Sequence, residues 1–241
     1  GQRFATEGYH SVLIRRSNQK GLDQLVNNIK KQGGEATGFI LDVTKPDTLE
    51  QHLFKIDTEI GAIDTLIFNL GAQTGFKSLA KTTEKVFELG WRLATFSLFR
   101  IASAVIPLME KRKKGVFLVT SSTAAFRGNA GQHAHASAMA GRRMLCQTLN
   151  AEFASKGIHI AHILIDGLVD APDTLGKMLG KKRFHELRKI RGSDNDGLVL
   201  PEKIAETYLH LAQQHRSAWT HEIDLRSFSD SAWWNHQTTT F

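Results

Sequence analysis

The sequence predicts a doubly wound α/β domain, a parallel sheet covered by helices on both faces. Three observations carry this. Short strand-like runs alternate with amphipathic helical runs along the whole chain. The strand runs are close to continuously apolar, as parallel strands buried on both faces are. Five of them end in polar or glycine-bearing segments: Arg15-Arg16, Asp42-Val43, Asn69-Leu70-Gly71, Ser121-Ser122 and Asp166-Gly167. In open parallel sheets ligands bind at the carboxyl ends of the strands, so these five ends mark the expected functional rim.

The elements follow in order. Phe4 and Ala5 read as part of a helix, and Tyr9 to Ile14 is a short strand. Leu22 to Gln32 puts Leu22, Leu25, Val26 and Ile29 on one helical face, and Gly33-Gly34 stops it. Ala36 to Leu41 is the next strand, and Pro46 opens a helix to about Ile60. Thr65 to Phe68 is a buried strand. A long helix spans about Thr83 to Lys113, with Phe87, Trp91, Leu98 and Ile101 as an apolar stripe. Val116 to Val119 is a strand ending in Thr120, Ser121 and Ser122, and a helix covers about His135 to Ser155. Ile158 to Ile165 is a continuous apolar strand interrupted by His159 and His162. Residues 171 to 198 are polar and mixed, a mobile excursion with some helix. Pro201 starts the last helix, and Trp219 to Leu225 is the final strand.

The 241 residues, 41 % hydrophobic and 23 % charged, suit one core-forming domain over 1–241, without repeats or a dividing linker. Cys146, the one cysteine, cannot form an internal bridge, so nothing requires an oxidising compartment and the cytosol is expected. No apolar run approaches the roughly 18 residues of a membrane span, and no signal peptide is visible, so no membrane partner is expected. The +7 formal charge suggests acidic partners. Its clusters, Lys111 to Lys114, Lys181 to Arg183, and Arg142 with Arg143, lie in helical runs without interleaved stacking aromatics. They read as solubilising helix faces, the first meeting a helix C-terminus, and nucleic acid is not expected.

Asp42-Val43, Asn69-Leu70-Gly71, the Ser121-Ser122 pair, and Ile165-Asp166-Gly167-Leu168-Val169-Asp170 together resemble the short-chain dehydrogenase/reductase family over essentially the whole chain. Asp166-Gly167, with the tail Arg216 to Arg226, resembles its atypical glucose-dehydrogenase-like subgroup. The resemblance implies a Rossmann-like fold and hydride transfer between NADP(H) and a small carbonyl or alcohol substrate. It also implies a homodimer or homotetramer built on the two long helices, with residues 171–198 as substrate lid and Phe126, Arg127 and Asn129 at the pocket mouth. Asp42 and Val43 would contact the adenine, Asn69 and Gly71 the ribose, and the Val169 backbone the carboxamide. Arg15 and Arg16, with no acidic residue nearby, would meet a 2′-phosphate, favouring NADP over NAD; a solvated turn is the alternative.

The same comparison exposes departures. Ser122 occupies the family's catalytic serine slot, but His135 falls where its Tyr belongs, Met139 where its Lys belongs, and Ala94 where its Asn belongs. His135 could donate a proton from about the Tyr position, or be a polar residue of a first helical turn. Ser122 could contact substrate or satisfy backbone groups. A catalytically inactive nucleotide- or partner-binding protein on the same fold is the rival expectation. Gly1 to Ala5 align with the middle of the helix after the family's Gly-rich phosphate turn. Strand one and that turn are therefore expected upstream, and the 241-residue chain alone is expected to be insoluble or unfolded. No metal site is expected: His133 and His135 lack a carboxylate or thiolate partner. His159 and His162 read as core histidines, and Cys146 as a buried small hydrophobe.

Overall fold

Strands β1 (His10–Arg15) and β2 (Glu35–Ile40) pair in parallel as one two-stranded sheet. β3 (Thr65–Phe68), β4 (Gly115–Ser122), β5 (Ile158–Ile165) and β6 (Glu222–Leu225) form a second, all-parallel sheet in that order. The structure, a computed structural model, describes residues 1–45, 48–71, 74–192 and 196–235. The doubly wound α/β class is therefore as expected, and no strand among the described residues joins β1 to β3. Pro46, expected to open a helix, lies outside the described residues.

Period-2 alternation sorts the sheet's side chains into two cores. Phe117 and Val119 of β4 point to one face, where α3 (Thr48–Lys55) and α5 (Ser97–Arg112) bring Leu49, Leu53, Leu98, Ile101 and Val105. Leu118 points to the other, where α1 (Gln2–Ala5) and α9 (Pro201–Ala212) bring Phe4, Tyr208, Leu209 and Leu211. The remaining helices are α2 (Gln19–Lys31), α4 (Glu84–Trp91), α6 (His133–Phe153), α7 (Lys177–Leu179) and α8 (Lys181–Arg191). Caps fix their starts: the Asn18 side chain accepts from the Gly21 N–H, and the Thr83 hydroxyl from the Val86 N–H.

α4 and α5 form one continuous run, Glu84–Arg112, with a single widened turn at Arg92–Phe96. By length and composition this run could cross a membrane, contrary to the expectation that no segment approaches a span. Its apolarity has a use within the fold, since Leu98, Ile101, Ala102, Val105, Ile106 and Met109 are buried against the sheet. The apolar stripe read from sequence divides here. Leu98 and Ile101 face the core, while Phe87, Trp91 and Phe99 remain about half exposed.

Two more readings are corrected. The final strand begins at Glu222, not Trp219: Trp219 donates its indole N–H to the Gln214 carbonyl and stacks on His159 at 5.0 Å. The bases Arg142 and Arg143 are not a solvated helix face. Arg142 is 2 % exposed, and Arg143 forms a two-pronged pair with Glu222 at 2.7 and 2.9 Å. Residues 171–198 hold a turn at Pro172–Gly176, then α7 and α8.

Gly157 enters β5 at φ +91°, a conformation that favours glycine, and a Cβ there would sit 2.8 Å from the Lys113 carbonyl carbon. Gly157→Ala is expected to lower stability by about 2 kcal/mol or more, through strain plus backbone displacement. A urea midpoint within error of the parent would contradict this.

Candidate active site

β4 delivers its serines to the rim because its eight residues alternate between the two cores up to the strand end. Ser121 is buried and Ser122 half-buried. α6 then returns across this end. Its spacing places His135, Met139, Arg142 and Cys146 on one buried face, three or four residues apart. Ser122 Oγ lies 3.3 Å from His135 Nε2, and His135 is 3 % exposed. Met139 packs with Ala94, Ala124, Ala125 and Ala138 in an apolar cluster, and its sulfur accepts from the Ser121 hydroxyl at 3.9 Å. The two serines thus have different company: one an imidazole, the other a thioether.

Arg142 is the site residue that sequence reasoning missed. Its Nε donates to the Ala94 carbonyl at 3.1 Å, Nη1 to Thr120 at 2.7 Å and Nη2 to Leu70 at 2.9 Å, with its guanidinium over the Phe68 ring. One cation therefore ties together the end of β3, the end of β4 and the widened turn of the long helix. Burial lowers its pKa to about 10, so it remains charged near neutrality. The available signal was position: two turns beyond His135, on the face shared with Met139 and Cys146.

The other rim residues fall at strand ends as anticipated. Arg15 ends β1, half-buried, and Arg16 follows, exposed. Asp42 accepts from the Thr44 hydroxyl at 2.7 Å and its N–H at 3.0 Å, which holds the carboxyl below its ordinary range; Arg16 and Lys45 add to that. The Val43 carbonyl accepts from Arg100. Asn69 and Gly71 are exposed after β3. Val169 forms a lone parallel bridge with Val199, and its carbonyl accepts from the Ala171 N–H. Phe126 packs on Trp233 at 5.0 Å and under the Arg143 guanidinium, while Arg127 and Asn129 bond each other. These three line the approach to the C-terminal segment, with Phe126 and Trp233 bordering a small cleft of about 220 Å³ beside β6.

The histidines of β5 sit on opposite faces. His159 bonds the Thr220 carbonyl at 2.8 Å, and His162, fully buried, meets Glu222 through Nδ1 at 3.1 Å. Cys146 is fully buried, and burial pushes its thiol up to about 12. No group of three or more metal-ligating side chains occurs among the described residues.

A doubly wound sheet with hydroxyl, imidazole, carboxylate and guanidinium groups at its carboxyl rim defines an α/β protein of the nucleotide-binding type. Residues 1–174 match the short chain dehydrogenase family model. The chain is 27 % identical over 220 residues to the 3-oxoacyl-[acyl-carrier-protein] reductase FabG of Thermotoga maritima, covering 91 % of this chain and 87 % of the relative. It superimposes on a short-chain dehydrogenase from Rhodopseudomonas palustris with a TM-score of 0.76 at 30 % identity, covering 93 % of this chain and 90 % of the other. The L-sorbose reductase of Gluconobacter frateurii, solved with NADPH and L-sorbose, shares the fold at a TM-score of 0.80 and 20 % identity, covering 94 % and 89 %. The chain belongs to the short-chain dehydrogenase/reductase family of oxidoreductases.

Proposed function

We propose that this chain is an NADP-linked oxidoreductase acting on the carbonyl or alcohol of a small organic substrate, with Ser122 and His135 as its catalytic pair. The observation that carries this reading is the 3.3 Å approach of Ser122 Oγ to His135 Nε2 at the carboxyl end of β4. A bound nicotinamide cofactor supplies the hydride. The Ser122 hydroxyl donates to the carbonyl oxygen, and the oxygen takes its proton from the Ser122–His135 pair as negative charge develops on it. In the alcohol direction the same pair receives the proton.

The nucleotide half of the rim fits the cofactor's chemistry. Asp42 is an ionised acceptor fixed by Thr44, and Arg15 with Arg16 offers cations where a 2′-phosphate would lie. Val43, Asn69, Gly71 and the Val169 backbone would hold the cofactor between its adenine and its carboxamide. The nicotinamide half fits less well, because Met139 brings no charge and no donor to a ribose. That supports the second reading, a protein that binds nucleotide without turnover. The half-exposed Phe87, Trp91 and Phe99 support pairing of two copies along the long helices.

Turnover of a panel of aldehydes and ketones with NADPH tests the pair. His135→Ala is expected to lower kcat/KM at least tenfold with NADPH affinity unchanged; equal turnover removes His135 from catalysis. Tight NADPH binding with no turnover selects the second reading. The double substitution of Arg15 and Arg16 by Ala should weaken NADPH about tenfold or more while leaving NADH affinity unchanged, by loss of charge-assisted phosphate bonds. Equal losses for both nucleotides would reject the 2′-phosphate role.

A further inference from the structure

Helix α8 carries its charge outward. Its sequence holds six cations and one carboxylate, Glu186. Contacts settle which side faces the protein: Phe184 is buried, Arg188 lies over the Phe184 ring and pairs with Asp170 at 2.7 Å, and Arg191 pairs with Asp230. With 3.6 residues per turn, Lys182 and Lys189 then stand on the opposite side, about 10 Å apart along the axis, with Lys181 and Arg183 beside Lys182. All four are exposed, and none pairs with a carboxylate among the described residues.

Large apolar side chains stand in water around the same helix. Met178 of α7 precedes it, and Ile190 lies in its last turn. Phe228 and Trp234 belong to the segment after β6, which Arg191 joins to α8 through Asp230. These four residues are each between 60 and 82 % exposed. The segment is held firmly: the Trp233 N–H donates to Asp166 at 2.8 Å, and Arg226 pairs with Asp166 and Asp224 while lying over the Trp234 ring. Exposed apolar tips set among solvated cations mark an interaction surface, since the fold gains nothing from leaving them in water.

We infer that α7, α8 and residues 226–234 form a docking surface for an anionic lipid bilayer. Lys and Arg side chains are drawn to the negative headgroups of such a surface, while apolar tips sink to the level where headgroup meets acyl chain, the level that Trp favours. Charge argues against a second copy of the chain, because Lys182 and Lys189 would meet their own kind. A nucleic acid would satisfy the cations but leave Met178, Ile190 and Phe228 in water. Peripheral contact of this type needs no spanning segment, so long apolar runs in the sequence do not reveal it.

The test is cosedimentation of the full chain with vesicles of phosphatidylcholine alone or of three parts phosphatidylcholine to one part phosphatidylserine. Binding is expected to the anionic vesicles only, weakening as salt is raised. Lys182→Glu with Lys189→Glu should lower it at least tenfold. Lys20→Glu with Lys30→Glu, an equal change of net charge at exposed positions of α2, should leave it nearly unchanged. That pair also separates this surface from the bulk charge of an unfolded chain. Quenching of tryptophan fluorescence by brominated lipid should persist in Trp91→Phe and largely disappear in Trp234→Phe. These measurements read lipid contact without turnover, so they stand or fall independently of the proposed oxidoreductase activity. Equal losses in the two charge-reversed pairs overturn the inference, as does quenching that survives Trp234→Phe. Vesicles ignored by the parent chain also overturn it, and would leave an acidic protein as the occupant that fits the cations.

Discussion

Arg142→Leu is expected to lower stability by about 3 kcal/mol or more, a fall in Tm on the order of 10 °C for a chain of this size. The guanidinium satisfies three carbonyls, of Leu70, Thr120 and Ala94, and lies above the Phe68 ring in a site almost closed to water. Leucine fills much of the volume but takes a charged donor away from carbonyls on three separate elements. Each unsatisfied buried group costs about 1–3 kcal/mol, partly offset because a buried charge has also been removed. Arg142→Lys keeps the charge on a compact head that cannot span the planar fork, so it should recover only part of the loss. A Tm for the leucine variant within a degree or two of the parent would show that the clamp is not stabilising. Arg142 also holds Leu70, next to Asn69 and Gly71, so under the proposed function nicotinamide-cofactor affinity should fall in step with clamp strength under conditions where the variants remain folded.

The second large effect is acid sensitivity. Burial lowers the His162 pKa from 6.5 to about 4, outweighing the attraction of Glu222, while Arg143 and Arg142 lower it further. The unfolded chain takes up a proton at this side chain near pH 6.5 and the folded one only near pH 4. Stability is therefore lost as pH falls through that window, by roughly 3 kcal/mol in all. His159, lowered chiefly by burial, acts in the same direction. Glu222 is held below its ordinary 4.5, first by its hydrogen bond from Arg143, and its contribution goes at still lower pH as the carboxylate protonates. Urea midpoints should fall steeply from pH 7 to pH 4.5, and less in His162→Leu. A flat profile would mean that the imidazole is not held neutral in the fold.

The fold was legible because buried parallel strands and amphipathic helices leave separate periods in the chain. Thr65–Phe68 and Ile158–Ile165 have the bounds their apolar runs suggest. The strand-end rim was legible for the same reason, since Ser122, Asn69 and Asp42 follow directly on such runs. Arg142 was not, because a guanidinium's residue type signals solvent, and only three-dimensional carbonyl positions reveal a buried use for it. Trp219 was misplaced because an aromatic beside a strand suits the pleat and also suits stacking on a core histidine. The approach of Ser122 to His135 could be anticipated in type but not in distance, which depends on how α6 crosses the end of β4.

Cys146 gives the molecule an internal clock. It is the sole thiol, fully buried one helical turn beyond Arg142, and its pKa of about 12 leaves almost no thiolate near neutrality. In the closed state it is silent to alkylating reagents. The labelling rate of this one atom therefore counts openings of the α6–sheet interface, and reads in time what melting reads in temperature.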